Sequence, residues 1–165
     1  MMPRTVRILG LDPGLRLTGY ALLRVQRSEV MLEEAGLLRA TGKSLPQRLR
    51  SLYCGLAEIL QQFRPDVLAI EELFAHAGHP RTALLIAHAR GALLLAAAEH
   101  GLSCVSYAPA QIKKTITGAG RASKLQIQRT MQRELGLHRL PEPPDVADAL
   151  AVALCHYHLD LRRAC

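Results

Sequence analysis

The chain has no tryptophan, and its 165 residues include only two phenylalanines and four tyrosines. A core this poor in large aromatics must be filled by aliphatic side chains, and the abundant Leu and Ala point to helices in the outer layer. The four cysteines, Cys54, Cys104, Cys155 and Cys165, are far apart and form no C-x-x-C pair. That spacing indicates neither a zinc site nor a disulfide framework, and reduced thiols in a cytoplasmic protein are expected. The start, Met1-Met2-Pro3-Arg4, lacks the apolar core and small-residue cleavage site of a signal peptide. The longest apolar stretch, Ala83 to Ala98, is interrupted by His88 and Arg90 and is expected to be too short to span a membrane. Repeats, low-complexity segments and long linkers are missing, which predicts a single domain over residues 1–165. Acidic residues are few: 14 Asp and Glu stand against 21 Lys and Arg, a net charge of +7. Such a balance suits a polyanionic partner, although many basic proteins bind none.

What the chain does have is a short branched apolar run, Val6, Ile8, Leu9 and Leu11, ending at Asp12 and turned by Pro13-Gly14. The run reads as a buried strand. A carboxylate at its end is costly to bury unless a cation or donor answers it; alternatively, Asp12 only starts an Asp-Pro-Gly turn. Thr18 to Val25 and Val30 to Ala40 read as two further strands, joined by short polar turns into an antiparallel meander. Leu45, Leu49, Leu52, Leu56, Ile59 and Leu60 recur at helical spacing, predicting an amphipathic helix from Leu45 to Phe63. Val67 to Ile70 is a second buried strand, ending in Glu71-Glu72, and Cys104 to Tyr107 a fifth. Helices are expected from about Thr82 to His100, from Pro109 to near Gly118, from Ser123 to Leu135 and from Asp145 to Leu161. The order β-β-β-α-β-α-β-α-α-α is that of an α/β protein with a mixed five-stranded sheet flanked by helices.

Two apolar strands thus end in carboxylates, Asp12 and Glu71, and strand ends are where α/β sheets place ligands. Asp145 and Asp148 fall three residues apart and share a face near the start of the last helix. Each has a plain alternative: a solvated strand end for Glu71, helix capping and first-turn charge for the aspartates. Together, however, such carboxylates repel unless divalent cations neutralise them, and hard oxygen donors suit Mg²⁺ or Mn²⁺. Two such ions would activate a water and stabilise the leaving oxygen of a phosphodiester.

The motifs G-L-D-P-G-L-R-L-T-G-Y-A-L, A-I-E-E-L-F, Q-I-K-K-T-I-T-G-A-G-R-A-S-K and P-D-V-A-D-A-L-A-V-A, in this order, resemble RuvC-type Holliday-junction resolvases. The likeness runs from about Val6 to His158. It implies a ribonuclease-H-like fold, a homodimer, and metal-dependent paired nicking of a four-way DNA junction in recombination and repair. By the same resemblance the catalytic and metal-binding acids are Asp12, Glu71, Asp145 and Asp148, holding two Mg²⁺ ions per site, with Mn²⁺ able to substitute. A RuvA–RuvB branch-migration complex is the partner it implies.

From Lys113 to Arg133 there are six basic residues and no acidic one. The run is either a solvated face or a phosphate track. The resemblance implies DNA contacts at Lys113 and Lys124, with Lys114 and Arg121 as neighbours, and makes Phe74 a wedge against junction bases; its alternative is a core residue. The helix from Thr82 is apolar nearly all round, so it is either deeply buried or shared with a partner, and the resemblance favours a two-fold interface. The seven histidines are scattered, with His156 near enough to the acidic helix to touch the site. Two-domain sugar-kinase or actin-type ATPases also use an Asp-x-Gly-like turn, but they need a second phosphate loop. A ribonuclease-H-like nuclease acting on RNA and a catalytically dead DNA-binding dimer are the other rivals. The basic Q-I-K-K…K segment and the P-D-V-A-D ending weigh against the first, and the presence of all four acids against the second.

Overall fold

The computed structural model describes residues 5–73 and 80–161. Strands β1 (Val6–Asp12), β2 (Leu17–Gln26) and β3 (Glu29–Arg39) form the predicted meander. Helix α1 (Leu45–Phe63) crosses to β4 (Val67–Glu71), and α2 (Pro80–Glu99) crosses to β5 (Ser103–Tyr107). Helices α3 (Pro109–Thr117), α4 (Lys124–Glu134) and α5 (Pro144–His156) follow, and a wide π-type turn (Tyr157–Leu161) continues α5. The sheet order is β3-β2-β1-β4-β5, with β4 parallel to both β1 and β5. This is the mixed, ribonuclease-H-like sheet expected from the sequence.

Side chains alternate across the strands and divide the core in two. Ile8, Ala21, Leu23 and Ala69 face α3, α4 and α5, while Leu9, Leu11, Leu22, Leu68 and Ile70 face α1 and α2. Both strand faces are covered, which is why β1 reads as a continuous apolar run rather than an alternating one. Helix starts follow local chemistry. Ser44 and Ser123 form capping boxes with Gln47 and Gln126, and Arg64 and Gly118 close α1 and α3 in the left-handed conformation.

The β2–β3 turn is tighter than its sequence suggests. Arg27 and Ser28 both have positive φ, 49° and 65°, a conformation usually given to Asn-Gly. The Ser28 carbonyl accepts a hydrogen bond from the Tyr157 hydroxyl at 3.1 Å, so a substitution there leaves the contact in place. Ser28→Gly is expected to stabilise the protein by about 0.5–1 kcal/mol, read as a rise in the denaturation midpoint; a fall would mean that the serine side chain matters.

Helix α2 lies within two residues of its expected bounds, but it differs from the expectation that its apolar stretch is too short to span a membrane. At 20 residues it extends beyond the Ala83–Ala98 stretch and is long and apolar enough to cross a membrane by length and composition. The Ala83–Ala98 run is only part of the helix, which begins at Pro80 and ends at Glu99. Only Ala89, Leu93, Ala96 and Ala97 are buried, in the layer with α1, while Leu84 is 64% and Leu95 55% exposed. Of the two alternatives for an apolar helix, deep burial is therefore excluded.

Candidate active site

The site is built where β1 and β4 end side by side. Leu11 pairs with Ile70 in parallel register, so Asp12 and Glu71 are the next residues on adjacent strands. Alternation puts both on the face that Gly10 and Ala69 turn toward α5. Helix α5 reaches this face because two glycines leave room for it. A Cβ at Gly10 would collide with the Ala149 carbonyl oxygen, and one at Gly19 with that of Asp145. The start of α5 is thereby pressed against β2, opposite Asp12 in the Asp12–Gly19 register pair. Asp145 lies in the first turn of α5, where the helix dipole favours negative charge, and Asp148 one turn on.

The plain alternatives for these carboxylates can now be weighed. The Pro13-Gly14 turn is tied by the buried Thr18 hydroxyl, which accepts from the Gly14 amide at 3.4 Å, and not by Asp12. Neither the Asp12 nor the Glu71 carboxylate accepts a hydrogen bond from any described residue. The residue capping α5 is Pro143, so neither aspartate serves as its N-cap.

Burial, then the charges of Glu71, Asp148 and Asp145, push the Asp12 carboxyl up to about 8, with Lys124 opposing. Burial and Asp148 raise Glu71 to about 7 against Lys113 and Lys124. Asp148 is also raised, first by burial, although Lys124 Nζ stands 3.9 Å from it. Lys113 and Lys124 therefore face the acids from α3 and α4. Among the described residues no three acidic, His or Cys side chains stand close enough to hold an ion as they are. The hard oxygens of Asp12, Glu71, Asp145 and Asp148 nonetheless suit divalent cations, whose charge would offset the repulsion among them.

In the unfolded chain these carboxyls ionise near pH 4, and in the folded protein Asp12 does so only near 8 and Glu71 near 7. Folding therefore takes up protons, and the stability these groups contribute below about pH 4 is lost as pH rises through about 8. In chelator, the denaturation midpoint is expected to fall between about pH 5 and 8.5, and Mg²⁺ is expected to restore it. A midpoint that rises over this range without cation would contradict the buried cluster.

The cleft beside Asp12 and Glu71 has a volume of about 290 Å³ and is also lined by Pro13, Glu72, Leu73, Ile86, Arg90 and Pro109. Arg90 was not anticipated as part of it; within an apolar helix its only sequence signal was being charged. Lys114 is placed elsewhere, in a shallow concavity with Thr115, Glu134, His158 and Leu159. Arg121 is exposed between α3 and α4. Phe74, with His76 and His79, lies outside the described residues. His156 does not join the acids: its Nδ1 lies 2.7 Å from the Tyr107 hydroxyl and 3.1 Å from Asp160, tying the end of α5 to β5. Eleven residues of helix beyond Asp145 carry it away from the cleft.

Residues 8–156 match the family model described as crossover junction endodeoxyribonuclease RuvC. The chain belongs to the RuvC family. It is 46% identical over 153 residues to the crossover junction endodeoxyribonuclease RuvC of Rhodopirellula baltica, covering 92% of this chain and 86% of that one. It is 41% identical to the protein of the same name from Alkaliphilus metalliredigens, with 92% of each covered. Thermus thermophilus RuvC superposes with a TM-score of 0.86 at 29% identity, over 96% of this chain and 97% of that one. The same RuvC in complex with its Holliday junction substrate gives 0.85 at 30% identity, over 93% of each. The Thermus protein thus shares the overall fold that positions the cleft.

Proposed function

We propose that this chain is a structure-specific DNA endonuclease that resolves four-way junctions by paired symmetric nicks in recombination and repair. The observation that carries this reading is the electrostatic influence of Glu71, Asp145 and Asp148 on Asp12, opposed by Lys113 and Lys124 facing the acids, in a member of the RuvC family. The four carboxylates would hold two divalent cations, Mg²⁺ or in its place Mn²⁺, which supply an activated water and stabilise the leaving oxygen when bound.

The chain's own residues do the rest. Asp12 is the acid on which all three others act. Lys113 and Lys124, released from the carboxylates once these are neutralised, meet the oxygens of the scissile phosphate. Lys114 and Arg121 extend the basic surface outward, and Gly118 and Gly120 let the backbone of the α3–α4 turn approach a strand closely. Phe74 would stack against a junction base.

Residues 1–165 act as a single nuclease domain and pair as a homodimer. The unburied apolar side of α2 supports this, since exposed leucines there would be covered at a two-fold axis. Two clefts related by that axis suit two opposed strands. A RuvA–RuvB complex is the proposed motor partner, and the cytoplasm the proposed compartment.

Competition binding in chelator tests the substrate, with a four-way junction against duplex of equal length and charge, alongside sedimentation for the dimer. Preference for the junction by a dimer is expected. Equal binding of both DNAs would leave only charge attraction and remove the junction from the account.

A further inference from the structure

Arg90 has no part in the reading above. It stands inside α2, yet its side chain reaches the end of the sheet. Nε donates to the Glu71 carbonyl oxygen at 3.2 Å, and a terminal nitrogen donates to the Ser106 hydroxyl at 2.7 Å. These two bonds fix the guanidinium at the cleft that Asp12, Glu71 and Ile86 also line.

The charge it brings there is not answered by the acids. Ser106 lies on the α2 face of the sheet, next to Val105 on the α5 face, whereas the carboxylates of Asp12 and Glu71 point toward α5. Among the described residues no carboxylate forms an ion pair with it. An arginine has five N–H donors, and its planar fork suits a phosphate better than an ammonium does. Two bonds to the protein leave donors over, on a group already oriented.

We propose that Arg90 binds a backbone phosphate of the DNA strand in the cleft, on the α2 side of the sheet end. This phosphate is distinct from the one that meets the carboxylates. Arg90 would thus set how the strand lies across the acids. The proposal rests on the nuclease reading and adds a contact to the same cleft.

The test is junction affinity in chelator as a function of KCl for the wild type, Arg90→Gln and Arg90→Lys, with folding checked by thermal denaturation. Arg90→Gln is expected to weaken binding about tenfold at low salt and to flatten the slope of log K against log salt by about 0.9. Arg90→Lys is expected to keep the slope and lose affinity severalfold, because the charge remains and the fork is gone. A folded Arg90→Gln protein with the wild-type slope would overturn the proposal and leave Arg90 as a tie between α2 and the sheet. If Arg90→Gln does not fold, Arg90→Lys decides, and wild-type affinity in that variant would overturn the proposal. A wild type that fails to prefer the junction would instead overturn the nuclease reading, whatever Arg90 does.

Discussion

Junction cleavage by the Asp12→Asn variant is expected to fall at least about a hundredfold, the scale on which single preorganised electrostatic groups act. Junction binding should stay within about threefold, because DNA affinity is carried by cations such as Lys113 and Lys124 rather than by this acid. The same substitution should make the cation-free protein more stable at neutral pH. It removes a carboxyl raised to about 8 by burial and by three neighbouring acids and leaves a neutral side chain of the same shape. A gain of at least about 1 kcal/mol, or about 2–4 °C in denaturation midpoint, is expected for a chain of this size. Lost activity, kept binding and higher stability together are the mark of an acid that serves function against stability. Equal loss of binding and of stability would show Asp12 to be structural.

Gly10 and Gly19 provide the second large effect. Each faces the backbone of α5 so closely that a methyl group would strike a carbonyl oxygen, which is not the yielding end of a flexible side chain. Gly10 lies in mid-strand beneath Ala149 and Ala153. Gly10→Val is expected to cost about 3 kcal/mol or more, since overpacking of this kind moves backbone. Gly19 lies beneath Asp145 itself, at the edge of the site. Gly19→Ala should therefore lift the start of α5, costing roughly 1–3 kcal/mol, while cutting cleavage far more than binding. Calorimetry paired with cleavage rates separates the two. A Gly19→Ala protein with wild-type activity would mean that Asp145 need not sit where it does.

These glycines also mark where the sequence stopped being informative. Periodicity and turn residues were enough to order all ten elements, and the bounds of α1 followed from its leucine spacing. That Asp12 and Glu71 end adjacent strands was also accessible, because each closes an apolar run. Their common face was not, since it depends on parallel register between strands 55 residues or more apart in sequence. Nor could a local reading tell that Gly19 accommodates a helix more than a hundred residues later. Arg90 looked like an interruption in an apolar helix because its partners, Glu71 and Ser106, come from other strands. His156 misled for the converse reason: closeness in sequence to the acidic aspartates counts for little when a straight helix carries the residue away from them.

The most direct test is cleavage of a mobile four-way junction, each strand labelled in turn, by purified protein with Mg²⁺ or Mn²⁺, beside matched duplex, an RNA–DNA hybrid and a chelator control. The account predicts paired nicks at symmetric positions on two opposed strands of the junction, none in duplex or hybrid, and none in chelator. Cleavage of the hybrid in preference to the junction, or cation-independent cleavage, would contradict it.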